Sequence, residues 1–195
     1  MLKSFFARVL QRSQRGNSKH PDTDKGLSDQ EKAFQQCLLA FVEHHYDSCV
    51  RQSTSLISNG VATLELLQIL LISLQRLGKT DELEAWGAQC LKMSADHPWD
   101  NALFKLTLGE IDASQVMAMA KYKGQASQAY CYSGTRMETL GYLDAAQELF
   151  DKCLELCREI QLLNADYVIA VRSHENMDST ASNSVLIKYI IIRYR

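Results

Sequence analysis

Proline is almost missing from this sequence, with two in 195 residues, and glycine is scarce at nine. That scarcity of punctuation argues against a turn-rich β-sandwich and for helices joined by short connections. No apolar run reaches eighteen residues, so no segment is read as spanning a bilayer. The start offers no secretory h-region, because Phe5, Phe6 and Ala7 are interrupted by Arg8. The six cysteines are therefore expected to be reduced thiols in a cytoplasmic compartment. No GxSxG, HExxH, P-loop or dinucleotide fingerprint occurs. The chain is read as a non-enzyme with no cofactor and no metal.

Hydrophobic residues make up 46% and charged residues 23%, the balance of a soluble globular chain. Charge is unevenly placed. Lys3, Arg8, Arg12, Arg15 and Lys19 meet no acid within residues 1–21, while residues 22–172 hold 13 basic against 21 acidic residues, a net −8. An acidic body repels a phosphate backbone, so no nucleic acid is expected as a partner.

The pattern that is present is a repeat. Residues 129–156 read "AYCYSGTRMETLGYLDAAQELFDKCLEL". The first half is periodic through Tyr130, Gly134 and Met137. Gly141 interrupts it, and the second half runs through Leu143, Ala146, Phe150 and Cys153. A glycine between two helical halves supplies the left-handed residue that ends the first. Small residues at Gly134, Ala146 and Cys153 let two antiparallel helices approach, with Phe150 as the bulky plug between them. The same turn recurs at Gly109, Gly78 and His44, in steps of 32, 31 and 34 residues. Four hairpins follow, at 30–59, 62–94, 98–123 and 127–160, with a closing helix at 162–172 over the last one. The third is thin, since the place of Phe150 is taken by Ala118. Pro98 suits the first turn of its opening helix.

These residues resemble a tetratricopeptide repeat, with departures at Met137, where that family prefers an aromatic, and in the missing closing proline. The resemblance implies an all-α fold, a right-handed superhelical stack of antiparallel helical hairpins. Residues 28–172 would form it, between a basic arm and polar linker at 1–27 and a tail at 173–195. It also implies a concave groove lined by the first helices. That groove would use Gln68, Ile72, Gln75 and Arg76 from the second hairpin and Trp99 and Leu103 from the third. The fourth would add Gln128, Thr135 and Glu138. Some family members clamp a carboxylate with lysines and asparagines at such places. Here the places hold Phe34, Gln68, Trp99 and Cys131, then Leu38, Ile72, Leu103 and Thr135, so the groove reads as apolar and neutral.

The chemically suggestive residues have plainer readings. Cys153 and Cys157 share a helical face, but zinc needs two further ligands and none stands nearby in sequence. Cys37, Cys49, Cys90 and Cys153 fall in the small packing slots, where a thiol acts as a small hydrophobe. His44 and His45 sit at a turn and read as solvated turn residues.

The arms carry their own signals. Leu2, Phe5, Phe6, Val9 and Leu10 follow helical spacing, with Arg8, Arg12 and Arg15 facing away. Residues 1–16 read as a peripheral membrane anchor, as a mitochondrial targeting segment, or as an arm lying on the acidic body. The tail ends in "VLIKYIIIRYR", β-branched, aromatic and too short to span a membrane.

The expected function is a non-catalytic scaffold or adaptor that binds a protein or peptide segment in the groove. The alternative is an assembly factor recruited to a membrane or imported into an organelle by the arm. A thiol-based enzyme is the third reading. On the first, partner binding survives moderate salt and weakens when Ile72 or Leu103 becomes aspartate.

Overall fold

The computed structural model describes residues 29–160 together with Ile169, Ala170 and Ser173. The arm at 1–27, the tail beyond Ser173 and most of the 162–172 segment lie outside the described residues. Among the described residues the chain is all-helical, with eight helices and no strand. They are α1 (Asp29–Val42), α2 (Tyr46–Ser58), α3 (Leu64–Arg76) and α4 (Thr80–Met93). Then come α5 (Pro98–Leu108), α6 (Ala113–Met119), α7 (Lys123–Thr139) and α8 (Leu143–Glu159). None of the described helices is long and apolar enough to cross a membrane.

The helices pair in order, and the turn inside each pair has one geometry. His44, Gly78, Gly109 and Gly141 all have positive φ, at 61°, 66°, 86° and 84°. In each, the amide of that residue donates to a carbonyl three residues back, and the next amide to one five back. Around Gly141 these are Gly141 N to Glu138 O at 3.1 Å and Tyr142 N to Met137 O at 2.9 Å. Around His44 they are His44 N to Phe41 O at 3.0 Å and His45 N to Ala40 O at 2.8 Å. This is the Schellman ending, which satisfies the last carbonyls of the first helix while reversing the chain. The first hairpin makes it without glycine. His44 tolerates the left-handed region as few bulky residues do, and its Nδ1 lies 2.6 Å from the Tyr46 hydroxyl.

Counting from the turns puts equivalent positions face to face. In the fourth pair Gly134 lies under Phe150, and a Cβ there would stand 2.8 Å from the ring. In the first pair the same two positions are Cys37 and Ser53, whose Sγ and Oγ are 3.0 Å apart. In the second they are Leu71 and Gly87, but there the glycine faces the next pair, where a Cβ would stand 2.8 Å from Leu108.

The third pair departs from the expected register. Its second helix starts late, because three residues separate Gly109 from the Ala113 start. Asp112 caps it, accepting from Gln115 N at 2.9 Å, while Gln115 Oε1 accepts from Asp112 N. That reciprocal box fixes the start two residues further on than in the fourth pair. Val116, fully buried, therefore stands where Ala146 does, and Ala118 is exposed rather than in the plug slot. The plug position falls past the end of the seven-residue helix. The fourth pair also opens earlier than expected, at Lys123 rather than 127.

One main core runs through all pairs. It contains Cys37, Phe41 and Cys49 from the first, Leu66, Ile69 and Ile72 from α3, and Leu103 and Leu106 from α5. Tyr132, Ala146, Phe150 and Cys153 extend it through the last pair, and Ile169 and Ala170 join the same cluster. All six thiols are free and buried. Fully burying a side chain such as Phe150 is worth about 1.5–3 kcal/mol by area removed from water.

Candidate functional site: the inner face of the first helices

The face lined by α1, α3, α5 and α7 is where the sequence placed a groove. Nine residues were expected to line it for a partner. Four of them are buried: Gln68 and Leu103 at 0% exposure, Ile72 at 1% and Thr135 at 2%. Gln75, Arg76, Trp99, Gln128 and Glu138 are half-buried. The first four pack within the core, and the other five lie half-exposed between helices.

The ties are polar and specific. Thr107 of α5 donates its hydroxyl to Gln68 Oε1 at 2.6 Å, and its carbonyl accepts from Gln75 Nε2 at 2.7 Å. Trp99 of α5 donates its indole N–H to Gln128 Oε1 of α7 at 2.9 Å. Arg76, in the last turn of α3, skips α5 and reaches α7. Its guanidinium lies 2.6 Å from Glu138 Oε2 and 3.4 Å from the Thr135 carbonyl. This contact brings the C-terminal ends of α3 and α7 together.

Sequence reading missed Arg136, one residue from the predicted Thr135. Its guanidinium donates to the carbonyls of Leu106 at 3.1 Å and Ile111 at 3.2 Å, covering the C-terminal end of α5. A cation there answers both the unpaired carbonyls and the helix dipole. Its Nη2 would lie 2.8 Å from a Cβ at Gly109, so the turn glycine also makes room for a neighbour's arginine. The basic residue of α7 closest to Gly141 was the only available signal.

The expected helix at 162–172 was to cover the last hairpin; of it, Ile169 and Ala170 have described side chains, at 2% and 0% exposure. Ile169 and Ser173 line a cavity of about 20 Å³ with Phe41, Val42, His44 and Tyr46 of the first pair, Arg76, and Thr135 and Glu138 of α7. Ile169 and Ser173 thus stand beside the first hairpin as well as α7. The cavity has room for a single water. Burial of the Tyr46 hydroxyl beside it pushes that phenol up, partly offset by Arg76.

A second cavity of the same size lies between α3, the end of α4 and α5, with Ser94, His97 and Asp100 on its wall. Burial raises the Asp100 carboxyl above its ordinary range, against the pull of His97. Cys153 and Cys157 lie side by side in the core, each fully buried. No group of three or more His, Cys, Asp or Glu able to hold a metal occurs among the described residues.

No protein-family model, curated protein or solved structure matches this chain.

Proposed function

We propose that this chain is a non-catalytic scaffold of tetratricopeptide-like hairpins, stacked as a right-handed superhelix, that binds a helical segment of another protein on its inner face. The observation that carries the reading is the occupant of that face. Ile169 and Ala170 are helical and buried in one cluster with Phe41 and Val42 of the first hairpin, so the face accepts an apolar helix. Helix-in-groove recognition works through such apolar anchors. Charge contributes little, because Arg76 and Glu138 neutralise each other within the fold. The net −8 of residues 22–172 disfavours nucleic acid and leaves protein as the partner class. The compartment proposed is the cytoplasm, where thiols stay reduced.

The test is selection of helical peptides from a displayed library against the full chain. Enrichment of apolar, uncharged anchors at helical spacing, with binding unchanged from low to moderate salt, supports the reading. Enrichment of basic sequences whose binding vanishes with salt overturns it.

A further inference from the structure

We propose that Cys37 and Cys49 form a redox-modification site, in which hydrogen peroxide joins their sulfurs as a reversible disulfide that ties α1 to α2 across the His44 turn. This goes beyond the scaffold reading and does not depend on it.

The arrangement of four buried side chains carries it. The two Sγ atoms lie 3.6 Å apart, so modest side-chain rotations bring them to the S–S bond length of about 2.05 Å. Ser53 Oγ stands 3.0 Å from Cys37 Sγ and 3.9 Å from Cys49 Sγ. The Ser73 hydroxyl of α3 faces Cys49 and is itself buried without a hydrogen bond. All four side chains are 0% exposed. Packing alone does not ask for this chemistry, because the fourth hairpin fills the positions of Cys37 and Cys49 with Gly134 and Ala146. The two sulfurs also differ in character. Hydrogen bonding from Cys49 and Ser53 holds the Cys37 thiol below its ordinary range, against the opposing effect of burial. Cys49 is raised by its hydrogen bond to Cys37 and by burial, and keeps its proton. Cys37 is thus the nucleophile and Cys49 the resolving thiol.

The Cys37 thiolate attacks one oxygen of the peroxide. An S–O bond forms, the O–O bond breaks, and the departing hydroxide takes up the proton that the thiol released. The Cys49 sulfur then attacks Cys37 Sγ, forming the S–S bond as the S–O bond breaks, and its proton leaves with the hydroxyl group as a second water. Both sulfurs are oxidised and both peroxide oxygens reduced, so two thiols and one peroxide become a disulfide and two waters. Access comes through local opening, since α1 is the first of the described helices and packs chiefly against α2 and α3. Hydrogen peroxide is little larger than water and needs a smaller opening than an alkylating reagent.

The full chain is treated with hydrogen peroxide, quenched with catalase, alkylated in denaturant and digested with trypsin. Cleavage after Lys32 and Arg51 leaves both thiols in one peptide. That peptide is expected unalkylated and lighter by two hydrogens, before any change at Cys90, Cys131, Cys153 or Cys157. Dithiothreitol added before alkylation should restore the dialkylated form. Cys49→Ser should stop at a sulfenic acid on Cys37, captured by dimedone. Ser53→Ala should slow the reaction about tenfold, because the thiolate loses a donor. The first measurement uses the parent chain alone, so it decides the matter even where a variant fails to fold. Oxidation that reaches all six thiols at one rate overturns the proposal. So does a disulfide that forms first between Cys153 and Cys157, a 33–51 peptide that stays dialkylated, or one whose oxidation dithiothreitol does not reverse.

Discussion

Arg76 and Glu138 are separated by 62 residues and joined by an ion pair of 2.6 Å, with 17% and 13% of their side chains exposed. The pair bolts α3 to α7 over the inner face. Removing Glu138 leaves the Arg76 guanidinium with little water and only the Thr135 carbonyl, at 3.4 Å, as a partner. Glu138→Gln is expected to cost about 2 kcal/mol, below the ~3–5 kcal/mol of a fully enclosed pair because residual solvent screens it. Urea melts of both single variants and the double variant check it. A double variant less destabilised than the sum of the singles identifies the coupling, and strict additivity denies it.

The two glycines of the last hairpin should respond to alanine for different reasons. A Cβ at Gly141 meets nothing within 4 Å, so its cost is the left-handed backbone alone, about 1–2 kcal/mol. Gly134 has ordinary helical backbone, but a Cβ there meets Phe150 at 2.8 Å, an overpacking cost of about 1–3 kcal/mol. Pairing Gly134→Ala with Phe150→Leu should recover part of the second loss and none of the first. Thermal melts of the three single and two double variants decide it; equal recovery at both sites would mean the seam is misassigned.

Native thiols should be slow to alkylate. Burial pushes Cys90 up to about 12, and the hydrogen bond to Cys37 together with burial raises Cys49 as well. A raised thiol favours the neutral form in the fold. The stability Cys90 contributes is thus intact below the ordinary thiol range near 8.5–9 and is lost as pH climbs from there toward about 12. Iodoacetamide at pH 8 should leave the native protein largely unmodified by mass spectrometry and add six groups in denaturant. Rapid native labelling of Cys90 would contradict its burial.

Aspartate at Ile72 was expected to weaken a partner's grip on the groove. With Ile72 at 1% exposure, the same change now places a charge in the core. It should cost more than about 4 kcal/mol, against about 0.5–1.5 kcal/mol for Ile72→Val. Circular dichroism of Ile72→Asp should show loss of structure at moderate temperature. A stably folded variant would reopen the groove at that position.

What the sequence determined by itself is the local architecture. Helix faces, the left-handed turns at Gly78, Gly109 and Gly141, and Phe150 against Gly134 are set by residues a few positions apart or within one hairpin. Periodicity and glycine spacing report such interactions directly. Even His44, with no glycine to mark it, was found from the repeat spacing and adopts the same positive φ. The late start of α6 was written in the sequence too, as Asp112 three residues before Gln115, but the repeat period masked it.

Only the tertiary structure decided how deeply the first-helix residues are packed. That depends on contacts between hairpins, such as Gly87 against Leu108 and Thr107 between Gln68 and Gln75. No single contact of this kind leaves a period in the chain. Contacts of this kind bring Arg76 to Glu138 and Ile169 beside Phe41, and bury Gln68, Ile72, Leu103 and Thr135.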